Sequence, residues 1–561
     1  MRQAQESHRI QVLTSGDLLQ RLEDLNRVGA SLSKEKDINR LLENILIAAK
    51  NIVNADGGTL YRMVDDRNLK FEIIRTDSLN IAMGGTTGEA IPFNPIALYD
   101  ETGKPNNSMV VAYAVLHDQT INIADAYTER GFDFTGTKNF DKKTGYRSKS
   151  FLTIPMKNHE KEIIGVLQLI NAKDRESGEI IAFSATDEQL GESLASQAAI
   201  ALTNRLLISQ LEDLFESFIR LINTAIDEKS PYTGGHCARV PVLTMMIAEA
   251  VNNTKIGPLK DFHMNEKDRY ELEIAGLLHD CGKVTTPVHV VDKATKLETI
   301  YDRINLIDTR FEVLKRDAEV SMLKSKQRLG KDRRGIAKLE AKYRSRIKQL
   351  NQDREFLRKT NIGGEFVNEE VLQRVREIAS YRWVGIDGKR KKFLTDDESE
   401  NLSIARGTLN EKEREIINNH VVVTIKMLEA LPWPKHLRKV PEFAGGHHER
   451  VDGKGYPRGL KREDMSVQAR IIGIADIFEA LTAKDRPYKI GKTLTESLNI
   501  LGRLKIDGHI DPDLFDVFVR DKVYLAYAKQ FLDPEQIDDV DESKIPGYSK
   551  RPDSGRPNSE S

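Results

Sequence analysis

Five histidines and two aspartates carry most of the chemistry this sequence offers. His236 ends the run PYTGGH, which begins at Pro231. His279 and Asp280 open the run HDCGK, which ends at Lys283. His420 follows LNEKEREIINN, His447 and His448 open HHERVDGKGYP, and Asp476 lies in ARIIGIADIFEALT. Each stands in an apolar helical pattern or at a glycine-rich bend, where an unpaired polar group is costly to bury. A single histidine on an apolar helix is more often a satisfied core residue than a ligand. Seven such groups after residue 230 are better satisfied by metal. Imidazole and carboxylate suit iron, manganese or zinc, and the lack of a cysteine cluster argues against a structural zinc site. Seven ligands exceed the need of one ion and fit two ions that share a carboxylate. Such a pair is a recurrent device for phosphoester hydrolysis, because it activates water and stabilises the attacking and leaving oxygens. Lys283, four residues after His279, would approach a phosphate beside the pair. Cys281 fits a small apolar filler.

These segments resemble the HD-GYP branch of the HD phosphohydrolases over about 220–300 and 405–500. HHERVDGKGYP carries the His-His-Glu-x-x-Asp-Gly-x-Gly-Tyr-Pro signature, and HDCGK carries the His-Asp-x-Gly-Lys signature. The resemblance implies an all-α catalytic domain that hydrolyses cyclic dinucleotides, above all cyclic di-GMP, to linear pGpG and in some members to GMP. It implies His236, His279, Asp280, His420, His447, His448 and Asp476 as ligands of two divalent ions, Fe or Mn, with Asp280 bridging them. Asp280 and Lys283 become the catalytic pair, Lys283 also contacting phosphate. Arg486 and Lys489, in DRPYK, become further phosphate or base contacts, although ALTAKDRPYK is one residue longer than the common form. Asp452, Gly453, Gly455, Tyr456 and Pro457 shape a loop, the glycines by adopting φ > 0 and Pro457 by fixing the turn. Some members use a third metal on a glutamate four residues before the first histidine. That position is Tyr232 here, a poor ligand at neutral pH, with Glu228 one helical turn earlier, so two metals are expected.

The elements that must position these residues are helices. From 230 on, apolar residues recur at i, i+3 and i+4 between Gly and Pro punctuation, which predicts an all-α domain over 230–530. His420 comes 140 residues after Asp280, far later than the resemblance implies, so about 300–400 reads as an insertion. It contains Lys324 to Lys348, with 11 basic and two acidic residues, read as a charged helical hairpin breaking near Gly330 or Gly335. From 531 the composition turns to Asp, Glu, Ser, Pro and Gly, and the tail 531–561 is expected to be disordered.

The first 205 residues differ. A helix is expected over 17–54, with Leu18, Leu22, Leu25 and Leu32 in a heptad seam. Five or six strands follow, including a hairpin of SFLTIPMKN and EIIGVLQLINAKD, and then an exit helix. This order resembles a GAF domain over 17–205. Asn171, Lys173, Phe183, Asp187 and Glu188 resemble the ligand signature of cyclic-nucleotide-binding GAF domains, except that Ala172 separates the first two. The simpler reading makes them surface charges and a helix cap. The exit helix continues through Leu207, Leu211, Leu214, Phe218, Leu221 and Ala225, a coiled-coil seam over 206–229. The expected architecture is therefore multidomain: an α+β GAF domain joined by a long coiled-coil helix to an all-α HD-GYP domain carrying a helical insertion.

Composition bounds the rest. The 561 residues include 85 Lys plus Arg and 86 Asp plus Glu, a net charge of −1, which speaks against nucleic acid or an anionic membrane as a general partner. Two cysteines, no run of ~18 apolar residues and no signal-like start fit a cytoplasmic chain. The partners implied are a cyclic di-GMP substrate, a small ligand in the GAF domain, a second copy in a homodimer, and a GGDEF or other signalling protein. Two alternatives stay open: a cyclic-dinucleotide receptor that does not turn its ligand over, and a phosphodiesterase for another dinucleotide such as cyclic GMP-AMP.

Overall fold

The computed structural model describes residues 15–229, 235–364, 367–484 and 491–549. Tyr232, Arg486 and Lys489 lie outside them. The chain forms two units, Met1–Phe215 and Glu216–Ser561.

In the first unit, the helix expected over 17–54 is two helices, α1 (Ser15–Leu32) and α2 (Ile38–Ile52). The break is chemical. Asp37 accepts a hydrogen bond from the Arg40 amide and starts α2 afresh. Leu25 and Leu32 are buried in the domain core while Leu22 is exposed, so the expected seam does not run the length of α1. An antiparallel sheet follows: β1 (Ala55–Val64), β2 (Asn68–Thr76), β3 (Ile81–Gly84), β4 (Ile96–Ala97), β5 (Ile121–Ile123), β6 (Phe151–Lys157), β7 (Ile163–Lys173) and β8 (Ile180–Ile181). The order is β3-β2-β1-β7-β6-β5, with β4 beside β2 and β8 beside β7. The eight strands exceed the five or six expected because β4 and β8 are two residues each, too short to show an alternating pattern. The β6–β7 hairpin is present, with Leu152 opposite Leu169 and Ile154 opposite Leu167. Short helices α3 (Val110–Leu116) and α4 (Thr135–Thr144) lie between strands. The main core joins Leu41, Ile45 and Leu46 of α2 to Leu60, Leu167 and Leu169 of the sheet and to Leu194 and Ala198 of α5 (Ala185–Lys229). Helix α5 continues without a break for 45 residues.

The second unit is mainly helical. Helices α6 (His236–Asn252) and α7 (Glu266–Leu278) lead to a 3-10 turn over Cys281–Thr285 and to α8 (Val288–Val291). The insertion then comprises α9 (Ile304–Leu329), α10 (Arg333–Asn361), α11 (Glu369–Ala379), β9 (Arg382–Val384), β10 (Arg390–Lys392) and α12 (Asp396–Leu402). The charged hairpin is α9 and α10, broken at Gly330. The insertion has its own core of Phe311, Leu350, Leu357, Val375, Phe393 and Leu402. The domain is not wholly α: β9 and β10 pair as RWV against RKK, a hairpin with no apolar alternation to betray it. The chain returns through α13 (Glu411–Glu429), α14 (Val440–Gly445), α15 (Val467–Thr482), α16 (Leu494–Ile506), α17 (Pro512–Arg520) and α18 (Val523–Phe531).

The tail expected to be disordered from 531 is folded through Ser549. Gln536 is buried and donates to the carbonyls of Thr482 (2.8 Å) and Lys492 (3.1 Å). Asp538 accepts from the Thr495 amide, and Ile545 is buried. The polar composition misleads because several of these side chains satisfy backbone groups of the domain. Residues 550–561 lie outside the described residues.

Candidate metal centre

His236 is the first residue of α6, directly after Gly235 in a left-handed conformation (φ 87°). His279 caps the C-terminus of α7, and Asp280 begins the 3-10 turn. That turn brings His420, 140 residues away, to the same place. A Cβ on Gly282 would lie 2.0 Å from the His420 carbonyl oxygen and 2.6 Å from the Thr424 amide, so only glycine lets the turn press onto α13. The Gly282 amide donates to Thr424 Oγ1 at 2.9 Å. His447 and His448 follow α14, and Asp476 comes from the middle of α15.

Asp280 is the hub. Its Oδ2 lies 3.2 Å from Nε2 of both His236 and His279. Its Oδ1 lies 3.1 Å from His420 Nε2 and 3.9 Å from His447 Nε2. Asp476 Oδ1 is 3.3 Å from His236 Nε2. Two groups have donor atoms close enough to hold an ion: His236, His279, Asp280 and Asp476, and His420, His447 and His448. All seven residues singled out in the sequence are therefore brought together.

The donors are prepared in the manner of ligands. Nδ1 of His279 faces the Gly276 carbonyl (2.7 Å), Nδ1 of His420 the Ile417 carbonyl (2.5 Å), and Nδ1 of His447 the Ala444 carbonyl (2.6 Å). A carbonyl only accepts, so each ring carries its proton on Nδ1 and turns the Nε2 lone pair inward. Nε2 of His236, His279, His420 and His447 and Oδ1 of Asp280 are buried without a hydrogen-bond partner among the described residues. Converging orphaned acceptors are costly unless a cation joins them. The donor set of imidazole and carboxylate thus fits a pair of divalent ions.

Electrostatics agree. Burial opposes ionisation of Asp280, but Lys283, His279 and His236 hold its carboxyl well below the usual range. Burial also opposes the charge on Asp476, yet His236 keeps it ionised. Burial, then His448 and His279, push His447 well down, and burial takes His448 to about 4. Both are neutral near pH 7. Lys283 Nζ sits 2.5 Å from Asp280 Oδ2. Burial works against its charge, and Asp280 and Asp476 more than restore it. Burial lifts the Cys281 thiol to about 11, in keeping with an inert filler.

The glycine-rich loop borders the centre. Tyr456 stacks on His448 with ring centroids 4.9 Å apart. Asp452 binds the Arg450 guanidinium (2.7 and 3.0 Å), and its amide donates to Gly508. Gly453 has φ 77°, as expected. Gly455 does not adopt positive φ; it is needed because a Cβ would come 2.3 Å from the Arg450 amide. Pro457 follows Tyr456 in this loop. Sequence reasoning missed Glu449, whose carboxylate accepts from the amides of Arg458 (2.7 Å) and Leu460 (3.0 Å) and so pins the loop. It also missed Glu479, buried against His236 Nδ1 and Arg239. Spacing offers a signal only for Glu479, one turn after Asp476, and its partner Arg239, one turn after His236.

In the first unit, the five signature residues hold the fold together. Asn171, buried at φ 58°, accepts from the amides of Lys149 and Ser150 and donates to the Arg147 carbonyl. Lys173 pairs with Asp56 (2.9 Å), and Phe183 is in the core. Asp187 binds Arg21 (2.9 Å) and caps Ser184, and Glu188 accepts from Asn122. Asp187 does act at the start of α5, but Asn171, Phe183 and Asp187 are buried and so are not the surface residues of the simpler reading.

The GAF domain model matches residues 37–202, and two HD domain models match 233–352 and 397–514. This is a GAF domain followed by HD-domain segments. Both HD segments supply residues to the one centre, and the first match extends into the insertion as far as α10. The chain is 42% identical over 114 residues to a 3′3′-cGAMP-specific phosphodiesterase of Vibrio cholerae, covering 20% of this chain and 26% of that protein. It is 43% identical over 74 residues to a cyclic di-GMP phosphodiesterase of Pseudomonas aeruginosa, covering 13% and 17%. It is 35% identical over 115 residues to a cyclic di-GMP phosphodiesterase of Thermotoga maritima, covering 20% and 30%. The chain thus spans less than a third of the length of these curated relatives. No helix among the described residues is long and apolar enough to cross a membrane.

Proposed function

We propose that the chain is a metal-dependent phosphodiesterase that opens cyclic di-GMP to pGpG, with further cleavage to GMP as a second turn of the same chemistry, under control of its GAF domain. The observation that carries this reading is the division of Asp280, whose two oxygens face two separate sets of buried, inward-turned histidines. His236, His279, Asp280 and Asp476 would hold one ion, and His420, His447 and His448, with Asp280 shared, the other. When bound, such a pair supplies an activated water and a Lewis acid for the phosphoryl oxygens. In the reaction, the water oxygen adds to phosphorus, the P–O3′ bond breaks, and a proton reaches the leaving 3′-oxygen. Lys283 stays protonated at neutral pH, so it offers a cation to a phosphate oxygen and the growing transition-state charge rather than acting as a base. The His448–Tyr456 stack borders the site as an aromatic wall.

Cyclic GMP-AMP remains a second substrate reading, favoured by the 42% identity to an enzyme named for it. The exposed seam of α5 supports a parallel dimer, and a cytoplasmic setting suits a cyclic-dinucleotide substrate. The test is product chromatography with cyclic di-GMP, cyclic di-AMP and cyclic GMP-AMP, using Mn²⁺ or anaerobic Fe²⁺. Linear product from cyclic di-GMP, lost in Asp280→Ala with unchanged circular dichroism, is the expected result. Metal-replete protein that binds a dinucleotide without turnover would establish a receptor instead.

A further inference from the structure

Three of the inward-facing histidines lean on backbone carbonyls, whereas His236 leans on a charge. Its Nδ1 meets Glu479 Oε2, and the other oxygen, Oε1, accepts from Arg239 Nε at 2.7 Å and lies 2.6 Å from its terminal nitrogen. Glu479 is almost completely buried (1% exposed). The Arg239–Glu479 pair is therefore a fixed dipole whose negative end points at His236. We propose that Glu479 is a positioning residue that makes the two metal positions unequal, so that the His236, His279, Asp280 and Asp476 position is tighter and fills first. The proposal rests on the two-metal reading above.

The argument is one of charge and orientation. The first position has two carboxylates among its donors, Asp280 and Asp476, and a third carboxylate one ring away. The second has three imidazoles, which bring no charge as ligands, and only the shared Oδ1 of Asp280. At short range in a buried site, one carboxylate more or less outweighs differences among neutral donors. A carboxylate accepting from Nδ1 also makes Nε2 a better donor than a carbonyl does, and it fixes the ring plane. Glu479 reaches only His236 among the seven residues by hydrogen bond, so its effect falls on one position and not on both. Arg239 locks the carboxylate so that it cannot swing inward to become a ligand itself.

Titration of metal-free full-length protein with Mn²⁺ tests this, with bound metal counted by elemental analysis and the two sites separated by electron paramagnetic resonance. Wild type should take up two Mn²⁺ per protomer, the first about 10-fold or more tighter than the second, giving an isolated-ion spectrum at one equivalent and a coupled spectrum at two. Glu479→Gln keeps a hydrogen-bond acceptor without the charge. It should weaken the first site by about 10-fold and leave the second unchanged, and Glu479→Ala should cost up to about 100-fold. His448→Ala should remove the second site while keeping the first. Glu479→Gln is nearly isosteric and carries the test where the alanine variant does not fold. An unchanged first site in Glu479→Gln, or equal weakening of both sites, overturns the proposal and leaves two metals standing. Wild type that binds fewer than two Mn²⁺ sinks the two-metal reading itself.

Discussion

Lys283 pairs with Asp280, the hub of the centre, and their roles separate by experiment. Lys283→Met leaves the seven donor groups in place. It should keep the metal content and lower kcat for the dinucleotide by about 10²–10³-fold, the usual loss when one preorganised charge stabiliser is removed. Loss of metal in that variant would make Lys283 a structural partner of Asp280. Their surroundings push the histidines of the metal-free protein in opposite senses. Burial first, and His420 after it, depress His448 to about 4, below the usual 6.5, against the pull of Asp476. The unfolded chain therefore binds more protons between about 4 and 6.5, so stability from this group is complete above 6.5 and is lost as pH falls towards 4. His447 acts in the same direction. His236 is opposite: burial disfavours its charge, but Asp280, Asp476 and Glu479 raise its pKa well above 6.5, so its contribution is present below 6.5 and lost as pH rises through the folded value. The urea midpoint of chelator-treated protein should climb from pH 4 to 6.5, and His448→Gln should flatten part of that climb. An unaltered slope would show that His448 is not buried as a neutral ring. At this scale the seven donor groups that come together were legible in the sequence, because each stands in a motif, an apolar helical pattern or a glycine-rich bend. The sequence was poor for Glu449 and Glu479, whose partners are a backbone amide and a ring distant in the chain.

The elements behave according to what they leave exposed. On α5, Leu207, Leu211, Leu214, Phe218 and Leu221 are 46–64% exposed, one continuous apolar stripe on a helix about 65–70 Å long. A stripe at heptad spacing suits a second copy of the same helix. Leu214→Lys should shift light scattering from dimer to monomer at micromolar concentration, and a wild-type monomer would remove the dimer reading. The insertion is tied at its neck by Lys293. Its fully buried ammonium meets Glu413 at 2.7 Å and Asn401 at 2.9 Å, joining the insertion to the helix that bears His420. Lys293→Met strands the Glu413 carboxylate, and removing one partner of a buried pair costs about 3–5 kcal/mol. Proteolysis around 290–300 and 403–411 should accelerate; equal rates would mean that the neck does not depend on this pair. The charge run and the glycines at 330 and 335 made the hairpin of α9 and α10 legible. The three-residue strands β9 and β10 were not, because they are short and mostly exposed, so burial leaves no trace in their pattern.

For the whole molecule, α5 is the element whose residues belong to both units. Its first turns, with Leu194 and Ala198, belong to the core of the first unit. Its last residue, Lys229, donates to the carbonyls of Lys283 and Val284 in the turn that follows Asp280. Two residues earlier, Asp227 accepts from the Gly235 amide just before His236, at 3.5 Å. A rotation or shift of a continuous helix is a recognised way to carry a signal between domains, and here its end holds the backbone at Lys283 and beside His236. Lys229→Met removes that hold without touching any of the seven donors. It should leave Mn²⁺ content unchanged while altering kcat, and it should blunt the response to whatever cyclic nucleotide modulates the full chain. Deleting residues 1–205 should change turnover or abolish the same response. Should Lys229→Met respond like wild type while the deletion does not, the signal enters by a route other than the end of α5. Should neither differ from wild type across cyclic AMP, cyclic GMP and the cyclic dinucleotides, the GAF domain serves assembly alone. The helix itself was legible in the sequence, where the apolar spacing announced an unbroken run. The contact at its end depends on a lysine in a charged stretch, which composition alone assigns to solvent.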